Sequence, residues 1–199
     1  LFVSLEGVDG SGKSTQAGLL AKALGPETLL IREPGGTDAA ERIRELLADP
    51  QLGEIDPFAE LLLFSAARAD LVSRVIRPAL DQGRTVVADR FADSSVAYQG
   101  GARGLGTSQV LSLTDTVIDG LWPDLTILLK LDPEIGLGRA AGDDRFEAEG
   151  VELQRAVAEA YEEIAVVAAD RVVAVEASGT VEEIHARVLE VVRERGGAD

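Results

Sequence analysis

The chain has 199 residues, no cysteine, and 35 acidic against 19 basic side chains, for a formal net charge of -16. Without cysteine there is neither a disulfide framework nor a thiolate metal site, no apolar run approaches the roughly 18 residues that span a bilayer, and an acidic surface opposes a nucleic-acid polymer, which is held through many lysine and arginine contacts. We therefore expect one soluble, cytoplasmic domain over residues 1–199 that acts on small molecules, with a few native residues ahead of Leu1 because the chain does not begin with Met.

In chain order, the first element is an apolar run at residues 1–5, followed by "EGVDGSGKST" and a helical stretch, "STQAGLLAKALG", that ends at Gly25. Gly7, Val8, Asp9, Gly10, Ser11, Gly12, Lys13, Ser14 and Thr15 form a glycine loop in strand–loop–helix context. Glycines let successive N–H groups turn toward one anion, and the helix start adds its positive dipole end. Lys13 is expected at the β- and γ-phosphates of a nucleoside triphosphate, and the Ser14 hydroxyl on Mg²⁺. A second apolar run at 29–32 ends in Arg32 and "REPGGT". The next helix, "DAAERIRELLAD", carries Asp38 with Glu41 three residues on, the spacing of a capping box.

A long helical stretch then opens at Pro57 and closes at Gly83, with Phe64 and Arg68 four apart on one face. An aromatic ring beside a guanidinium can stack a planar base and bond its edge, whereas the plain reading makes Phe64 core and Arg68 a solvated edge residue. The third run, 85–89, leads into "DRFADSS". Arg90 and Arg32 there suit a clamp on a phosphate, or ordinary ion pairing with Asp89 or Glu33. After the helix "SQVLSLTDTVIDG" come a fourth run at 125–131, the stretch "GRAAGDDRFEAEG", a helix at 151–170, a fifth run at 172–176, "EASGT", and a final helix carrying the lone His185, read as structural. Continuous apolar runs alternating with helices predict an α/β fold, a doubly wound, mostly parallel five-stranded sheet with helices on both faces. Ligands of such sheets bind beyond the carboxyl ends of the strands, where the charged loops stand.

Taken together, "EGVDGSGKST", "REPGGT", "DRFADSSVAYQGGARGLG", "PDLTILLKLDPE" and "DRFE", in this order and spacing, resemble the bacterial thymidylate kinases of the P-loop nucleoside monophosphate kinase family. The resemblance covers nearly the whole chain. It implies phosphoryl transfer from ATP to dTMP with Mg²⁺, and a homodimer. It further implies that Phe64 stacks on thymine and Arg68 bonds its edge, that Arg90 with Arg32 holds the dTMP phosphate, and that Asp9 contacts the sugar 3′-hydroxyl and the metal region. Ser95 and Gln99 would complete base and sugar recognition, Tyr98 would crowd a ribose 2′-hydroxyl, Pro34 would shape the loop beside the base, and the turn at 177–180 would lie near adenine. In this family pattern Gly10, rather than an arginine, follows Asp9, so a mobile lid at about 139–149 is expected to supply the cation, from Arg139 or Arg145.

The acceptor phosphate is already ionised near neutral pH, so no catalytic histidine is expected. A P-loop deoxynucleoside kinase is the alternative enzyme; it would need a carboxylate base, for which Glu6 and Glu33 are candidates. A nucleotide-dependent regulatory switch is the alternative without acceptor chemistry, and fold alone does not separate it.

Overall fold

The computed structural model describes residues 1–139 and 150–195. The five strands are β1 (Phe2–Glu6), β2 (Leu29–Arg32), β3 (Val86–Asp89), β4 (Leu125–Lys130) and β5 (Val172–Glu176). They form one parallel sheet in the order β2-β3-β1-β4-β5. The helices are α1 (Lys13–Leu24), α2 (Asp38–Ala48), α3 (Pro57–Leu71), α4 (Arg77–Asp81), α5 (Ala92–Ser95), α6 (Thr107–Ile118), α7 (Pro133–Arg139), α8 (Gly150–Val167) and α9 (Val181–Arg195). Each expected strand is present: β1, β3 and β4 are buried almost throughout, as their mainly apolar runs imply, and the edge strands β2 and β5 keep exposed residues.

Side chains alternate across the sheet. Val3, Leu5, Val87, Ile127, Leu129 and Val175 pack with α1 and α9 on one face. Phe2, Val86 and Ala88 meet Leu71, Ile76 and Ile118 on the other, where Leu128 also meets Val157 and Tyr161 of α8. β1 thus hands the chain to α1 on the first face, while its neighbours β3 and β4 hand it to the second. Adjacent parallel strands whose connections part in this way leave a crevice at their carboxyl ends.

The helices differ from expectation at several points. Thr37, not Asp38, caps α2: its Oγ1 accepts from Ala40 N at 3.1 Å, and Asp38 is the first helical residue. Glu41 instead accepts from Gly36 N at 2.8 Å and pairs with Arg32. The long third helix opens at Pro57 under an Asp56 cap and passes through a π turn, Val72–Ile76, into α4. After β3 the chain is helical through α5 and a second π segment, Val96–Ala102, a stretch to which sequence reading assigned no helix. A polar seam pins this segment under the sheet: Arg171 donates to both oxygens of Asp93 at 2.7 and 2.8 Å, and Thr126 Oγ1 donates to Asp93 and lies 2.9 Å from Ser4 Oγ.

Candidate active site

The crevice widens into a cavity of about 500 Å³ at the carboxyl edge of the sheet. The chain builds its floor from the glycine loop. Gly10 has φ +71, and a Cβ there would stand 1.9 Å from the Gly136 carbonyl oxygen of α7, so only glycine lets the loop pack against that helix. Gly12, at φ 93, precedes α1 and leaves the helix start open to the cavity. Lys13, Ser14 and Thr15 follow on the first turn and line the cavity.

Lys13 is buried, with Nζ donating to the Val8 carbonyl at 2.7 Å and to Ser11 Oγ at 3.4 Å. Burial, reinforced by the nearby Arg90 guanidinium, pushes its ammonium down to about 7 against the pull of Asp9, Asp89 and Glu6. A lysine so placed is short of negative charge, which an incoming anion would supply.

Arg90 is the first residue beyond β3 and sits at φ 69, a left-handed conformation rare for a side-chain-bearing residue. Its neighbour explains how it is kept there: Phe91 N donates to the buried Glu6 carboxylate at 2.7 Å, and Ser94 Oγ and Tyr161 Oη donate to the same carboxylate at 2.6 and 2.7 Å. Burial, then the Asp93 carboxylate, pushes Glu6 up to about 7 in spite of those donors and Arg90. The Arg90 guanidinium spans the crevice to pair with Asp9 of the glycine loop, and also donates to Tyr98 Oη at 3.1 Å and Ser94 Oγ at 3.3 Å. Burial would raise the Asp9 carboxyl, but Arg90 and then Lys13 outweigh it and hold Asp9 below its usual range. Gln154 of α8 closes the pair from behind, donating to Asp9 Oδ2 at 2.6 Å and accepting from Asp9 N at 3.0 Å.

The opposite wall comes from α3. Phe64 is partly buried and Arg68 almost wholly so, and both line the cavity. Arg68 is therefore no solvated edge residue. Its Nε donates to Glu33 at 2.8 Å, Nη2 reaches the same carboxylate at 2.7 Å and the Phe91 carbonyl at 3.2 Å, and Nη1 donates to Ser95 Oγ at 2.9 Å. Burial raises the Glu33 carboxyl, while Arg68 pulls it back. Both Arg68 contacts fall on Glu33 Oε2, while Oε1 is buried with no hydrogen-bond partner among the described residues, and Glu6 lies beneath the β3 turn. Gln99 donates Nε2 to the buried Glu60 at 2.8 Å.

Of the residues singled out in the sequence, Asp9, Gly10, Gly12, Lys13, Ser14, Thr15, Arg32, Pro34, Phe64, Arg68, Arg90, Ser95, Tyr98, Gln99 and Arg139 share this cavity. Arg32 stands there half-exposed and paired with Glu41. Gly7 and Val8 lie behind the loop on a smaller cavity of about 270 Å³ beside β4. Arg145, with the rest of the lid expected beyond Arg139, falls outside the described residues. The turn at 177–180 does not line the main cavity; Gln16 Nε2 of α1 donates to the adjoining Val181 carbonyl at 3.0 Å. Glu60, Asp89, Arg44 and Arg103 line the cavity but were not picked out as site residues. A lone acid in the apolar stretch "PFAELLLF" was the available signal for Glu60.

Comparison with known proteins bears on the same arrangement. The family model described as thymidylate kinase matches residues 5–188. The chain is 44% identical over 202 residues to a thymidylate kinase of Deinococcus radiodurans, with 98% of each chain covered. It is 46% identical over 202 residues to one of Halothermothrix orenii, covering 97% of this chain and 96% of that one. A crystal structure of thymidylate kinase from Ehrlichia chaffeensis superposes with a TM-score of 0.81 at 33% identity, covering 97% of this chain and 98% of the other. Sequence and fold therefore agree over nearly the full length, and the chain belongs to the thymidylate kinase family.

Proposed function

We propose that this chain transfers the γ-phosphoryl group of ATP to dTMP, giving ADP and dTDP, as a single cytoplasmic domain that pairs into a homodimer. The observation that carries the reading is the Asp9–Arg90 pair, which sets an arginine fork at the end of β3 against the phosphate-loop motif. The ATP phosphates lie along the loop from Gly7 to Thr15, with Lys13 on the β- and γ-oxygens, and the dTMP phosphate lies on Arg90, with Arg32 at the rim. A dTMP oxygen, already ionised, attacks the γ-phosphorus in line as the bond to the bridging oxygen of ADP breaks; no proton has to be removed first. Positioning and neutralisation of charge on the equatorial oxygens are what the protein contributes. Arg139, at the end of α7, is the cation proposed to approach from the rim.

Magnesium is held in such enzymes by one or two carboxylates together with substrate phosphates. The exposed Ser14 hydroxyl and the carboxylates of Asp9 and Asp89, all on this cavity, are oxygen donors of that kind and would hold it. When bound it would offset the negative charge of the transferring phosphoryl group. On the acceptor side Phe64 stacks the base, Arg68, Ser95 and Gln99 meet its edge, Pro34 flanks it, and Tyr98 and Asp9 face the sugar. The dimer reading is supported by apolar surface on packed helices: Phe58 and Leu62 of α3 are 45% and 47% exposed, and Leu111 of α6 is 40% exposed.

The test is ADP release with ATP and Mg²⁺ against dTMP, dUMP, thymidine or no acceptor. A rate that depends on dTMP supports the proposal. Turnover of thymidine but not dTMP would move the chain to the nucleoside kinases, and nucleotide binding without acceptor-dependent turnover would make it a switch.

A further inference from the structure

Gln99 and Arg68 face one cavity with Phe64, and each donates to a buried carboxylate. A glutamine amide can present either end, and its orientation follows from its partners. Here the partner is Glu60, 1% exposed and paired through both oxygens with Arg103, at 3.3 Å to Nε and 3.3 Å to Nη2. An ionised carboxylate only accepts, and the guanidinium beside this one offers donors alone. Gln99 must therefore turn its NH₂ to Glu60, 2.8 Å away, and its carbonyl oxygen to the other side. Arg68 is constrained in the opposite sense. Glu33 accepts its Nε–H and pairs with Nη2, the Phe91 carbonyl accepts from Nη2, and Ser95 takes one Nη1 hydrogen, which leaves the second Nη1 hydrogen as a donor.

We propose that Glu60 is a specificity-determining positioning residue, which locks the Gln99 amide so that the base site offers an acceptor beside the Arg68 donor and thereby selects a pyrimidine with N3–H and a 4-oxo group over a 4-amino pyrimidine. The proposal rests on the reading that the acceptor is a pyrimidine nucleoside monophosphate. A 4-oxo base presents an acceptor at position 4 and a donor at N3, matching both groups. A 4-amino base presents the reverse pair and would bury two mismatches, and a site built to hydrogen-bond its substrate rejects such an analogue strongly. Glu60 lines the same cavity, and the effect on the base proposed here passes through its bond with Gln99.

The experiment measures kcat/KM for dTMP and dCMP, together with the ATP KM, in wild type, Glu60→Gln and Glu60→Asp. Glu60→Gln can donate as well as accept, which frees Gln99 to flip. The dTMP/dCMP preference is expected to fall about 10- to 100-fold, an effect of the size expected for one reversed base-edge contact, with the ATP KM unchanged. Glu60→Asp keeps an acceptor-only group and should hold the preference within about threefold of wild type while overall rate falls. Equal losses for both acceptors in Glu60→Gln, leaving the ratio where it was, would overturn the assignment and make Glu60 merely structural. If Glu60→Gln does not fold, wild type with N3-methyl-dTMP decides: rejection is expected, and turnover comparable to dTMP refutes a locked acceptor at N3. Wild type that turns over no pyrimidine monophosphate at all would instead refute the underlying function.

Discussion

Lys13 and Asp9 show how single residues are conditioned by partners far away in sequence. The role proposed for Lys13 on phosphate could be read from its spacing alone, because the glycine loop is a local motif. Its ionisation could not, since it depends on burial and on Arg90, which the sheet brings across the crevice. Burial pushes the Lys13 ammonium down to about 7, so it holds its proton less firmly than a solvated lysine, and bound phosphates favour the protonated form again. ATP binding at pH 8 is therefore expected to take up protons, an uptake that fades toward pH 6. Calorimetry in buffers of different ionisation enthalpy measures this directly; a binding enthalpy at pH 8 that is independent of the buffer would contradict it. Gln154 and Asp89 escaped sequence reading for the same physical reason. A glutamine in an amphipathic helix and an aspartate ending a strand carry no local pattern, and Gln154 meets Asp9 only because α8 folds back beneath the loop.

At the scale of elements, the strands and most helices were legible because their apolar patterns are set by burial on known faces. The helical segment after β3 was not. "ADSSVAYQGGA" mixes hydroxyls, glycines and an acid without a helical apolar stripe, and it is held by tertiary bonds, Arg171 to Asp93 and Phe91 N to Glu6, that no local propensity reveals. The start of α2 was misplaced by one residue because Thr37 and Asp38 are both good caps; the extended backbone of Thr37 decides between them. Thr37→Ala should lower stability by about 1 kcal/mol, and Asp38→Ala by only a few tenths through its dipole contribution. Denaturant unfolding of both variants checks the order, and a larger loss for Asp38→Ala would return the cap to that residue. The contact of Gly10 with Gly136 also accounts for an absence in the loop: no arginine could occupy that position without displacing α7.

Across the whole molecule, charge is distributed against its average. The chain carries a formal -16, yet among the described residues seven basic side chains, Lys13, Arg32, Arg44, Arg68, Arg90, Arg103 and Arg139, line one cavity with four acidic ones. An acidic exterior discourages long polyanions while a basic cleft focuses field on small ones. The topology places this cleft where β1 parts from β3 and β4, so fold and charge select the same spot. Because the central claim is that Arg90 clamps the acceptor phosphate opposite the triphosphate, the most direct measurement is dTMP-dependent ADP release in wild type and Arg90→Ala with ATP saturating. The account predicts a fall in kcat/KM for dTMP of about 10²–10³-fold, the size found for losing one charge-stabilising donor, with ATP affinity changed little. A variant whose dTMP kinetics stay within about threefold of wild type, well short of one such donor, would contradict it.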